Sequence, residues 1–154
     1  MAVVFEVIDV SAEQARQAFP VIQATWPASD LASWQHLVHF FNGRKPTGQA
    51  GVMAIRDPAG YIFGVLAYQL DRELRNGLVF SVRLFAAVDL ANSRKLVRTL
   101  LDVAEMRAAE LGCASLQICL YKDQKSLASR LRALGLAGDA EVLRTKVDLA
   151  RSRN

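Results

Sequence analysis

The chain is poor in the residues that announce the commonest chemistries. Its two cysteines, Cys113 and Cys119, stand in no CxxC spacing. They build neither a disulfide framework nor a zinc site, and read as reduced, buried thiols. Histidine is equally scarce. His36 and His39 are three residues apart on one expected helix, with no third ligand of matching placement, so no metal is expected. No Ser-His-Asp order, GxSxG elbow, Walker motif or HExxH occurs. There is no block of like charge and no aromatic residue set among basic ones. The net charge of +4 and pI near 9.4 therefore lean toward small anions rather than nucleic acid. The longest uncharged apolar stretch, YIFGVLAY, is too short to cross a bilayer. The opening MAVVFEVIDV carries Glu6 and no basic leader, unlike a secretion signal. A cytoplasmic protein without membrane partners is the expectation.

What the chain has in quantity is apolar sequence. Over 154 residues, 52% are apolar and 22% charged, enough for one domain, 1–154, with a substantial core. VVFEVIDV (3–10) reads as a strand, and Ser11 as the cap of a helix with Glu13 and Gln14 in its first turn. Pro27 and Ser29–Asp30 break that helix. LASWQHLVHFFNG then repeats Leu31, Trp34, Leu37, Val38 and Phe41 at helical spacing before Gly43. GVMAI (51–55), YIFGVLAYQL (61–70) and LVFSVRLFAAV (78–88) read as strands. They are joined by the turn residues of DPAG (57–60) and Asn76-Gly77. An amphipathic helix spans about 94–111, with Arg98 and Asp102 as an i,i+4 pair. ASLQICLY (114–121) is a further strand, SLASRLRALGL (126–136) a short helix, and EVLRTKVDL (141–149) alternates like a last strand.

This order is that of an α/β (α+β) fold, a mixed, mostly antiparallel central sheet flanked by helices. The helical crossover makes strands 78–88 and 114–121 parallel. Between the third meander strand and the long helix lies VDLANSRKLVRTLL (88–101). A strand that feeds a helix N-terminus is a common phosphate site. This one has no glycine and carries Arg94, Lys95 and Arg98 instead. Cations in a first helical turn oppose the macrodipole by about 0.3–1 kcal/mol each. A bound phosphate reverses that sign; screened surface charges tolerate it.

The element order, the stretch VDLANSRKLVRTLLDVAE and the ending SLASRLRALGLAG resemble the GNAT superfamily of acyl-CoA-dependent N-acyltransferases, over about residues 3–149. In that family the loop after the fourth strand reads roughly V-x-P-x-x-R-G-x-G-x-G/A-x-x-L-L, and its backbone amides hold the pyrophosphate of coenzyme A. Val88-Asp89 matches its entry and Leu100-Leu101 its end. Leu90 stands for the proline, and Lys95 and Val97, or Leu96 and Arg98 one residue on, stand for glycines. Gly135-Leu136 matches a closing Gly-Phe pair, with Leu131 where the family carries a tyrosine.

The resemblance implies acetyl-CoA or another acyl-CoA as co-substrate and an amine as acceptor, either a small molecule or a peptide. It places Phe85, Ala86 and Ala87 along the pantetheine and acyl carbonyl. Asn92, Ser93, Arg94, Lys95, Leu96 and Val97 fall at the pyrophosphate. Tyr121 becomes the substitute phenol. Glu73, in the charged turn between two strands, offers a carboxylate to an amine, or is solvated there. Trp34, His36 and His39 border the acceptor side, unless Trp34 is core. Arg83 interrupts an apolar strand; it faces the acceptor cleft or the solvent. A cleft between strands 78–88 and 114–121 fits the co-substrate, and a gap closed by side chains argues against it. The alternative is a fold that has lost this chemistry and serves as a binding or interaction module, possible as a homodimer through the last strand.

Overall fold

The computed structural model describes residues 5–43, 48–88 and 93–150, with the backbone alone at Ser93 and Arg94. The elements are β1 (Glu6–Asp9), α1 (Ala15–Thr25), α2 (Leu31–Asn42), β2 (Ala50–Arg56), β3 (Ile62–Glu73), β4 (Gly77–Ala87), α3 (Ser93–Glu110), β5 (Ser115–Ile118) and α4 (Lys125–Ala133). The five strands form one sheet in chain order. β1 to β4 pair antiparallel; β4 and β5 pair parallel, as the α3 crossover demands.

Local chemistry sets these boundaries. The Ser11 hydroxyl accepts from Gln14 N–H at 3.3 Å, and Ser11 N–H donates back to Gln14 Oε1 at 3.1 Å. This reciprocal box opens the turn that leads into α1. Asp30 caps α2, accepting from Ser33 N–H at 2.7 Å and from its hydroxyl at 3.2 Å. Those two bonds hold its carboxyl below the usual carboxylate range. At the β2–β3 turn Gly60 takes φ +94°, which an L side chain resists, and its N–H donates to Asp57 C=O.

Helices cover both faces. α1 and α2 pack on one, around Val21, Ile22, Val38, Val52 and Val65. α3 and α4 pack on the other, around Ile55, Leu66, Phe80, Phe85, Leu96, Leu100 and Leu131. A Cβ on Gly64 would stand 3.1 Å from Ile55 and 3.3 Å from Leu100, so only glycine lets α3 come this close to β3. The base of α3 is tied down by Arg107, which donates to Tyr68 Oη at 3.2 Å and pairs with Asp9 and Glu110. Burial works against its charge, and those three partners together raise its pKa above the ordinary value.

The i,i+4 pair Arg98–Asp102 forms, at 3.5 Å. Both cysteines are free and half-buried, and burial pushes the Cys113 thiol up. No helix among the described residues is long and apolar enough to cross a membrane.

The expected last strand is the correction. Residues 136–150 carry neither helix nor strand, apart from a turn at 149–150, and Leu143 and Val147 are 85% and 73% exposed. Alternation marks which side chains share a face; it makes a strand only where a sheet edge accepts the backbone. The available neighbour, β5, is four residues long.

Candidate functional site

β4 is where the sheet becomes a site. It pairs with β3 through Tyr68↔Val82 and Ala67↔Leu84, which leaves Arg83 unmatched. This one-residue bulge moves the strand's side chains out of phase. Before it, Phe80 and Val82 face α3; after it, Phe85 does, while Leu84 and Ala86 face α1 and α2.

Beyond the bulge β4 loses its second neighbour. The parallel ladder runs from Val79↔Ser115 to Val82↔Ile118, and Cys119 N–H donates to Val82 C=O at 2.9 Å. From there the strands part. Val88 N–H donates to Phe63 C=O at 2.9 Å. That phase turns Val88 and Ala86 toward β3, and the N–H and C=O groups of Phe85 and Ala87 toward the gap. Gln124 reaches β4 there. Gln124, 8% exposed, donates from Nε2 to Phe85 C=O at 3.0 Å and accepts Tyr121 N–H on Oε1 at 3.1 Å. An amide side chain thus links β4 to the joint between β5 and α4.

Gln124→Leu should leave two backbone groups without partners. We expect about 1–3 kcal/mol lower stability, read as a lower urea midpoint at unchanged slope. An unchanged midpoint would mean that water satisfies both groups.

Two cavities lie on opposite faces of the sheet. One, of about 450 Å³, lies on the α1–α2 side, lined by Trp26, Trp34, Leu37, Leu84, Tyr121 and Asp123 among others. The other, of about 460 Å³, lies between α3 and α4, lined by Val97, Ser129, Arg130, Ala133 and Leu134. The N-terminal turn of α3 adjoins it, with no acidic residue and with Lys95 exposed.

Of the residues singled out from sequence, Trp34 and Tyr121 come together in the first cavity. Trp34 is also core, its Nε1–H donating to Ala15 C=O at 2.7 Å. Tyr121 packs edge-on to Trp26, ring centroids 5.7 Å apart. His36 and His39 are exposed on α2 and do not line either cavity. Arg83 is exposed at the bulge, so no buried charge needs a ligand there. Glu73 is not brought to Tyr121. It ends β3 opposite Gly77, accepting from Asn76 Nδ2 at 2.7 Å, about 20 Å along β4 from Leu84 at the strand rise.

Phe85 and Ala86 are buried; Ala87 is partly so. Leu96 and Val97 put their side chains into the α3 core, where Val97 also borders the second cavity. Asn92 lies outside the described residues, as do the side chains of Ser93 and Arg94.

Sequence reasoning missed Gln124, Trp26 and Asp123. Trp26 follows α1 and the other two follow β5, in joints where no periodicity marks a side chain. The one available signal was for Gln124, a long amide directly ahead of a helix.

No protein-family model and no curated protein matches the sequence. Solved structures do. A transcriptional regulator from Bacillus halodurans C-125 superposes with TM-score 0.78 at 14% identity, over 94% of this chain and all of that one. An aminoglycoside N-acetyltransferase, AAC(6')-Iy, in complex with CoA gives 0.77 at 10% identity, over 96% and 97%. A ribosomal-protein-alanine N-acetyltransferase from Brucella melitensis biovar Abortus 2308 gives 0.73 at 14% identity, over 94% and 99%. The fold is that of the GNAT acetyltransferases. Within it, the N–H and C=O groups of Phe85 and Ala87 lie beyond the β4 bulge, past the end of the β4–β5 ladder.

Proposed function

We propose that the protein is a GNAT-type N-acyltransferase that moves an acyl group from acyl-CoA to an amine. The parting of β4 and β5, with the N–H groups of Phe85 and Ala87 turned into the gap, is the observation that carries this reading. It is supported by the fold shared with an acetyltransferase that binds CoA.

The residues present fit the co-substrate. A pantetheine arm carries amides, and Phe85 C=O already takes one, from Gln124. The N-terminal turn of α3, free of acid and flanked by Lys95, suits the pyrophosphate. The groove of Val97, Ser129 and Arg130 suits the nucleotide end. A thioester bound there supplies the activated acyl group. The chain's own part is to place an amine from the first cavity against it and to direct backbone N–H groups of β4 at the carbonyl oxygen. In the transfer the C–N bond forms, the C–S bond breaks, and one proton leaves the amine as one is taken up by the thiolate. Tyr121, which lines that cavity, is our candidate for the phenol that gives it. Glu73 has no part.

Calorimetry with acetyl-CoA and CoA tests the reading, and no binding at millimolar ligand overturns it. In Arg94→Glu/Lys95→Glu we expect CoA to bind about tenfold more weakly, equivalent to 1.4 kcal/mol, with a flatter salt dependence. Unchanged affinity would make that helix start merely structural. Leu131 favours a second reading. It sits buried in the core where the resemblance places a tyrosine, as in a domain that binds without transferring. CoA binding with no transfer to any amine would decide for it.

A further inference from the structure

The first cavity is built for one kind of amine. Trp26, Trp34 and Tyr121 give it three aromatic walls, and Leu84 closes it toward β4. The indole N–H of Trp34 is spent inward on Ala15, so that ring offers the cavity no donor. Two carboxylates line it, Asp30 and Asp123. Asp30 is committed to Ser33 on both oxygens. Asp123 is exposed and makes no hydrogen bond or ion pair among the described residues. The Arg144 guanidinium stands 5.6 Å from the centroid of the Tyr121 ring. The chain as a whole is at +4.

Asp30 stays ionised but spends an acceptor position of each oxygen on Ser33, so Asp123 is the carboxylate left open to hold an ammonium. A second cation on the ligand would meet Arg144 and a positive protein, and a row of hydroxyls would find partners on the side of Ser29, Asp30 and Ser33 but lie against aromatic carbon at the rings. Flat apolar surface is what three rings reward. We propose that this cavity takes a primary monoamine carried on a flat, apolar body, with Asp123 holding the ammonium. This ranks polyamines and polyhydroxylated amino sugars below such an amine. The inference rests on the transferase reading only for what happens to the amine afterwards; occupancy of the cavity does not require it.

The chain has two tryptophans, and both line this cavity, so intrinsic fluorescence of the intact protein reports on it without CoA. Three probes decide: 2-phenylethylamine, its uncharged analogue 2-phenylethanol, and spermidine. The expected result is that 2-phenylethylamine binds at least tenfold tighter than spermidine and about fivefold tighter than 2-phenylethanol. Asp123→Asn should erase the advantage over the alcohol while leaving CoA affinity unchanged. Tighter binding of spermidine, or an amine preference that survives Asp123→Asn, overturns the inference. A chain that binds CoA but prefers spermidine loses this inference alone. A chain that binds 2-phenylethylamine but no CoA loses the transferase reading alone.

Discussion

Trp34→Ala should lower stability by about 3–5 kcal/mol and remove one aromatic wall of the first cavity. The side chain is 3% exposed, packed in the cluster that joins α1 and α2 to the sheet. Its Nε1–H bond to Ala15 C=O fixes where α2 crosses the start of α1. Alanine removes the ring, and the surrounding helices can close over the void only by shifting against β2 and β3. Trp34→Phe separates the two contributions. It keeps an aromatic wall but loses the hydrogen bond and part of the volume, and we expect about 1–2 kcal/mol. For a chain of this size the alanine variant should melt roughly 6–20 °C lower. Equal losses for phenylalanine and alanine would show that the hydrogen bond, not the packing, anchors α2.

Elements with a self-contained signal were legible in the sequence. α3 carries its apolar stripe on one face, and Leu96, Leu100 and Ala104 are buried along it. The β2–β3 turn is announced by Asp57, Pro58 and Gly60, whose side chains and φ preferences close it without outside help. The Ser11–Gln14 box is equally local. Residues 141–149 failed because a strand is a property of two segments, and pattern reads only one. The bulge failed for a related reason. A slip of one residue at Arg83 is decided by how β4 meets β3 and β5 together, and nothing in LVFSVRLFAAV marks it.

The candidate site divides along the same line. Trp34 was visible because it sits on a periodic face, and Tyr121 because it ends an apolar run. Gln124 and Asp123 were not, because both sit in the joint after β5, where no periodicity marks a side chain. Glu73 was misplaced for want of a distance. It sits at one end of the meander and the gap at the other, and a sequence cannot tell the two ends of a sheet apart without register. Arg83 shows the converse. A charge inside an apolar run left the acceptor cleft and the solvent both open, and the bulge at Arg83 lets it reach solvent.

Phe80→Ala should cost about 3–5 kcal/mol, as much as the tryptophan change but on the opposite face of the sheet. Phe80 is fully buried and stacks on Tyr68 with centroids 4.6 Å apart and planes 20° apart. Tyr68 in turn accepts from Arg107, which reaches Asp9 on β1 and Glu110 on α3. One ring therefore supports a chain of contacts from β4 to the far edge strand. Phe80→Leu keeps most of the volume but not the stack, and should lose only about 1–2 kcal/mol. With a urea slope of about 1.5 kcal/mol per molar, the alanine variant's midpoint should fall by about 2–3 M and the leucine variant's by about 1 M. Because Phe80 lies before the bulge and outside both cavities, neither change should alter CoA or amine affinity while the protein stays folded. A leucine variant that is stable yet binds amine more weakly would mean that the two faces of the sheet are coupled through β4, and that the bulge at Arg83 transmits strain rather than absorbing it.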